Sequence, residues 1–310
     1  MKDIIVMWKS TRMIVLTAVT AAIYAAILIP FKIAIPLIPG FTEVRPASVI
    51  PIICSLMFGP AAAWGSAIGN TIGDFFGTLG PGTIFGFIGN FLYGYIPYKM
   101  WQAIGGGGKV SAKSYNVSVQ SGLIALIASV VVAVIAGFAN HYLIKGSPVL
   151  VILIPTIAIF LILRFLSIQN FLIILSASIA CGVFIGWGVH LLGLVPFPAL
   201  GNIIVLNNLL VSGILGPILL PILYPVIDRM GLLYTNVMDS KDISRSHKWA
   251  SILMIIATIS ALIAGNWIAV GGYDMGVLGA GFGQAVAGRG GLGLGLLPFI
   301  ILILISAIYM

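Results

Sequence analysis

Few side chains in this sequence could do chemistry, and most of those that could are set in apolar surroundings. Asn70 and Asp74 stand four residues apart in AWGSAIGNTIGDFFG, so a helix puts both on one face. Asn90 sits within FGFIGNFLYG and Asn207 within NIIVLNNLLVSGILGP. Glu43 and Arg45 alternate in TEVRP, where the proline biases Arg45 toward an extended conformation. An extended segment turns both of those side chains the same way. Amides and single carboxylates of this kind hold a ligand by hydrogen bonds, and an ionisable group inside a membrane segment points to function by default.

Other chemistries find no residues to carry them. The three histidines, His141, His190 and His247, share no ligand spacing, and none belongs to an HExxH motif. The sequence holds no GxSxG elbow and no P-loop, so ATP hydrolysis by this chain is not expected. Seven acidic residues leave little room for a two-metal site or for a carboxylate proton relay. No catalytic residue, metal or cofactor is therefore assigned. What remains is a pocket of amides, one or two carboxylates and aromatics, suited to a neutral or mixed-polarity small molecule.

The elements that must position these groups are membrane helices. The 310 residues are 60% hydrophobic and 7% charged, against about 25% charged in a soluble domain. Gly65, Gly69, Gly73 and Gly77 recur every four residues, and Gly82, Gly86, Asn90 and Gly94 repeat that spacing after TLGPG. Such small-residue ridges let helix backbones approach closely in a membrane. The stretch 59–101 thus reads as a tight antiparallel hairpin turning near Gly80. Folding there sets Asn70 level with Asn90, roughly 15 Å deep at 1.5 Å per residue, near the middle of a core about 30 Å thick.

At each candidate two readings stay open. Asn70 and Asn90 bind a ligand, or they bond each other and fasten the helices. Asp74, nearer the outer end, is a ligand or a solvated helix terminus. Glu43 and Arg45 form a rim closing over a ligand, or a surface pair worth little. Asn207 completes the pocket or bonds a neighbouring helix.

Along the chain, Lys2, Lys9 and Arg12 precede an apolar run from Met13 to Ile29. That run is longer than a signal peptide's apolar region and lacks a convincing cleavage site, so it reads as a retained first helix. Ala18, Ala22 and Ala26 form a small-residue ridge on it, for packing within the subunit or for docking another helix. Pro30, Pro36, Pro39 and Gly40 break the chain into an irregular outer segment, and a short second helix precedes the hairpin. Further apolar runs fall at about 118–140, 149–163, 170–192, 200–226, 249–270 and 292–309. That makes ten spans of an all-α, polytopic transmembrane bundle forming a single membrane domain.

Eleven of the 15 Lys and Arg then lie on one side, while Lys32, Arg45, Lys145 and Arg289 lie on the other. The positive-inside rule puts both termini in the cytoplasm of a multi-pass cell-membrane protein. This placement also explains the net charge of +8 without nucleic acid. Cys54 and Cys181 sit in apolar runs as buried free thiols. The glycine-rich loop between the last two runs matches no nucleotide fingerprint, because membrane spans flank it.

Several of these stretches together resemble the substrate-binding S component of energy-coupling factor transporters. They are Ala18-x-x-x-Ala22, the irregular loop before Pro46, FGPAAAWGSAIGNTIGDFFG, FGFIGNFLYGYIPYKMW and LNNLLVSGILGPILLPILYP. The likeness covers about 11–104 and 170–233, as an S-component-like core of six helices. The resemblance implies a membrane subunit that captures a vitamin or related micronutrient at the outer face and has no ATPase activity of its own. Its partners would be membrane lipid, a transmembrane coupling subunit docked on the alanine ridge, and two ATPase subunits. Extra helices at about 118–165 and 249–309 depart from the family pattern. The alternative is a self-sufficient secondary transporter of a small organic solute, although the broken helices show no convincing inverted repeat.

Overall fold

A computed structural model describes residues 1–105, 125–131, 167–269 and 290–310, with a few single positions between 133 and 160. The runs at 118–140 and 149–163 and the glycine-rich loop fall largely or wholly outside the described residues. Within them the protein is an all-α membrane bundle. Five helices are long and apolar enough to cross a bilayer: Thr11–Ala34, Ile168–Leu191, Phe197–Val237, Lys248–Ala269 and Gly291–Tyr309.

A short helix α1 (Lys2–Val6) leads to α2 (Thr11–Ala34), which starts where the Ser10 side chain accepts from the Met13 backbone N–H at 3.4 Å. Strands β1 (Pro36–Ile38) and β2 (Thr42–Glu43) then pair antiparallel, Pro36 opposite Glu43. Gly40 makes their turn at φ +79°, a conformation that glycine reaches without strain. Helices α3 (Val49–Phe58) and α4 (Pro60–Asp74) meet at Gly59, where the Tyr234 ring occupies the place of a side chain. Then follow α5 (Thr83–Ile104), α6 (Ile168–Leu191), α7 (Phe197–Arg229), α8 (Lys248–Ala269) and α9 (Gly290–Tyr309).

All ten residues of α3 are buried, which makes it the central post of the bundle. Helix α2 packs on α3 and α4, and α4 on α5; α5, α6 and α7 follow in series. Pro97 breaks the ladder of α5, and Ser55 of α3 uses the gap. Its hydroxyl donates to the Gly94 carbonyl at 2.6 Å and accepts from the Tyr98 N–H at 3.1 Å. A neighbouring helix thereby satisfies the backbone groups that the kink disturbs.

The glycine ridges divide their work differently from a simple hairpin seam. Gly65, Gly69 and Gly73 face α2, where a Cβ would meet Thr20, the Ala21 carbonyl and Leu28 respectively. Gly94 does face α4, against the Ala62 carbonyl, whereas Gly77 lies in the turn at φ +133°. The hairpin connection also spans 75–82 rather than pivoting at one residue. Gly86, not Asn90, is therefore opposite Asn70: a Cβ at 86 would lie 3.1 Å from Asn70 Nδ2.

The last two helices dock firmly on the far side from α2. Helices α8 and α9 pack on each other and on α6, with α8 also against α5 and α7. Asn202 and Asn266 exchange amide bonds of 2.6 and 2.9 Å, Trp187 Nε1 donates to the Gly293 carbonyl, and Tyr95 donates to the Ala307 carbonyl.

Candidate ligand cavity

The end of α4, the 75–82 turn, the start of α5, the β-hairpin and the facing parts of α6 and α7 surround a cavity of about 240 Å³. Binding pockets for drug-sized ligands usually hold about 300–1,000 Å³, so this one suits a compact molecule. Arg45, Asn70, Asp74, Asn90, Thr78 and Thr83 supply its polar wall. Ile185 and Val189 of α6, with Leu200 and Ile204 of α7, supply the apolar wall.

Each polar group is held by a specific partner. Arg45 Nε donates to Glu43 Oε1 at 2.7 Å, and its Nη1 reaches Asn70 Oδ1 at 3.5 Å. Asn70 Nδ2 donates to Asp74 Oδ2 at 3.2 Å, so this one amide bridges the cation and the anion. Asp74 Oδ1 in turn accepts from Lys32 Nζ at 2.6 Å and from Thr78 Oγ1 at 2.8 Å. Asn90 accepts from the Tyr24 hydroxyl at 2.9 Å and donates to the Gly86 carbonyl. The wall thus presents one positive and one negative group, each backed by an opposite charge set behind it.

Burial is the largest single influence on Arg45 and works against its charge, but the Glu43 carboxylate and its hydrogen bond, with Tyr24 and Cys181, together outweigh it, and the guanidinium pKa lies above the ordinary arginine value. Arg45 remains a fixed donor in the wall. Glu43 is buried behind it, with Oε2 lacking a hydrogen-bond partner. These residues do not form a solvated surface pair.

The sequence candidates therefore separate. Arg45, Asn70, Asp74 and Asn90 line the cavity. Asn207 and Glu43 stand outside the lining: Asn207 Nδ2 donates to the Glu43 carbonyl at 2.7 Å, and its Oδ1 accepts from the Arg45 N–H at 3.2 Å. Asn207 braces the segment that carries Arg45. The described bonds of Asn70 and Asn90 run to other residues, so no Asn70–Asn90 clasp forms; the register set by the eight-residue connection separates them. Ala18, Ala22 and Ala26 are exposed on α2, while Ala21 and Ala25 are buried beneath them.

Sequence reasoning missed Lys32 and Tyr24. Lys32 is the sole charged residue between Arg12 and Glu43, a signal that counting it only as an outer basic residue overlooked. Tyr24 carried no such mark among the aromatics. Nor did Ile185, Val189, Leu200 and Ile204, ordinary apolar residues in apolar helices.

The QueT transporter family model matches residues 14–163. That family is a transporter family, an S component of the energy-coupling factor type like the one the sequence resembles, and not an enzyme family. With five long apolar helices the protein is a multi-pass membrane protein, and its similarity is to a transporter family. The match takes in the polar wall of the cavity and the alanine ridge, and it ends before α6 and α7. No curated protein and no solved structure matches the chain.

Proposed function

We propose that this chain captures a small, flat, neutral heterocycle at the outer face of the cell membrane for an ATP-driven importer. One observation carries the reading: Arg45 and Asp74, bridged by Asn70, give a compact cavity a donor face and an acceptor face with opposite charges balanced behind them. A ligand with a carbonyl edge and an amino edge satisfies both, and its ring lies against the aliphatic wall from α6 and α7. A queuosine precursor, the substrate associated with the QueT family, is the first ligand to test; vitamins and related micronutrients of similar shape follow.

Import in this reading requires a separate transmembrane coupling subunit and two ATPase subunits. The exposed Ala18, Ala22 and Ala26 support α2 as the coupling face, because nothing within the described subunit covers them. The docked α8–α9 pair lies on α5, α6 and α7 and leaves that face open. With both termini cytoplasmic, as the basic residues favour, the cavity opens outward.

Calorimetry with the purified protein and a queuosine precursor tests the site. Asn70→Ala removes the bridge, and a lost buried partner costs about 1–3 kcal/mol, or about five- to 150-fold in affinity. Unchanged affinity together with a lowered melting temperature would make Asn70 a structural residue and refute the reading.

A further inference from the structure

Lys32 lies in the last turn of α2, where a lysine stem is long enough to carry its ammonium out to the interface. It turns inward instead. Its side chain is 2% exposed, with Nζ 2.6 Å from Asp74 Oδ1 and 2.6 Å from Thr78 Oγ1. Thr78 donates to the same carboxylate oxygen, so the three residues close a triangle joining α2, the end of α4 and the 75–82 turn. Asp74 and Thr78 line the cavity, whereas Lys32 stands behind them.

We propose that Lys32 is the positioning residue of this site: it holds the Asp74 carboxylate aimed at the cavity, and through Thr78 it fixes the rim. The inference rests on the cavity being the ligand site. A buried carboxylate is costly unless it is paired and hydrogen-bonded, and Lys32 supplies both. Its orientation matters as much as its charge. With Oδ1 committed to Lys32 and Thr78, Oδ2 is the oxygen left to face Asn70 and the ligand. Lys32 also lies on the helix that carries the exposed alanines, so the acid of the cavity is tied directly to the proposed coupling helix.

The test uses the full chain in detergent and two independent readouts. Dicyclohexylcarbodiimide reacts with carboxyls in apolar surroundings that no ion pair occupies, and peptide mass spectrometry locates the adduct. Asp74 should stay unmodified in the wild type and in Lys32→Arg, and react in Lys32→Met. A queuosine precursor should bind Lys32→Met about tenfold or more weakly and Lys32→Arg within about threefold of wild type (about 0.65 kcal/mol at 1.4 kcal/mol per decade). An unreactive Asp74 in Lys32→Met, or wild-type affinity in that variant, overturns the inference. The expected labelling pattern without binding of the precursor even by the wild type supports the Lys32–Asp74 pairing and counts against the substrate reading alone. Should Lys32→Met not fold, Lys32→Gln, which keeps a donor but removes the charge, takes its place: weak binding with a reactive Asp74 supports the inference, and wild-type affinity or an unreactive Asp74 overturns it.

Discussion

Two glycines on facing helices should respond in opposite ways to one added methyl group. At Gly69 the Cβ would lie 2.7 Å from the Ala21 carbonyl oxygen and 3.1 Å from both Ala21 Cα and Tyr24 Cδ1. Two of those three atoms are backbone, so α2 and α4 must move apart. Overpacking of this kind costs about 1–3 kcal/mol, and the gain from replacing glycine in a helix returns at most about 1 kcal/mol. Gly69→Ala should therefore lose about 1–2 kcal/mol of stability. It should also weaken binding, since Tyr24 shifts away from Asn90. At Gly86 the new Cβ meets only Asn70 Nδ2 at 3.1 Å and Asp74 Oδ2 at 3.6 Å. Gly86→Ala should melt at or slightly above the wild-type temperature, yet lose about tenfold in affinity, or 1.4 kcal/mol, because the methyl stands among the recognition groups. Thermal unfolding in detergent measures the first quantity and calorimetry the second. Wild-type affinity in Gly86→Ala would mean that the ligand does not touch this wall, and the assignment of the cavity would fall.

Two further variants probe the opposite end of the bundle and the outer face of α2. Lys99 pairs with Asp3 at 2.6 Å, both side chains fully buried, so Lys99→Met should cost about 3–5 kcal/mol. Unfolding of Lys99→Met/Asp3→Asn, which should recover part of that loss, checks the mechanism. Ala22→Trp should abolish uptake in cells while binding and melting temperature stay near wild type, because Ala22 is exposed and no described residue covers it. Equal losses of binding, stability and uptake would instead return the alanine ridge to internal packing.

The sequence made the membrane class and the polar wall of the cavity legible for the same reason. In a chain with so few charges, each polar residue inside an apolar run stands out. Periodicity told which residues of the α4–α5 stretch share a face. It could not tell which neighbour that face meets, and all three α4 glycines turned out to serve α2. The register of Asn70 against Asn90 failed on a smaller matter. A turn eight residues long has its centre short of Gly80, enough to bring Gly86 opposite Asn70. The partner of Asp74 was hidden by distance along the chain, since Lys32 is 42 residues away and only the packing of α2 on α4 joins them. The aliphatic half of the cavity has no sequence mark, because isoleucine, valine and leucine look alike whether they face a ligand, a helix or lipid.

The distribution of buried charge bears on how the subunit keeps its shape while one face stays free. Lys32–Asp74 and Arg45–Glu43 lie at the cavity end, and Lys99–Asp3 lies at the other. Between them the bundle is joined by hydroxyls and amides, such as Ser55 on α5, Ser48 on Asn208 and Tyr93 on Ser212, and by glycine contacts. Near the ends of the bundle a charge is less costly than at the midplane, so the strongest polar ties sit where they least oppose insertion. Helix α2 is fastened at both ends by this arrangement. Lys32 holds its C-terminal end; at its N-terminal end α1 is bound by Asp3 to Lys99 and Ser244, and by the Ile4 carbonyl to Trp64. A helix pinned at both ends and packed on α3 and α4 along one side presents its remaining face in a fixed orientation. Ala18, Ala22 and Ala26 lie on that face. Close approach supplies most of the attraction between helices in lipid, and this alanine ridge, flanked by exposed Val15, Val19 and Ile23, offers the proposed coupling helix a place for it.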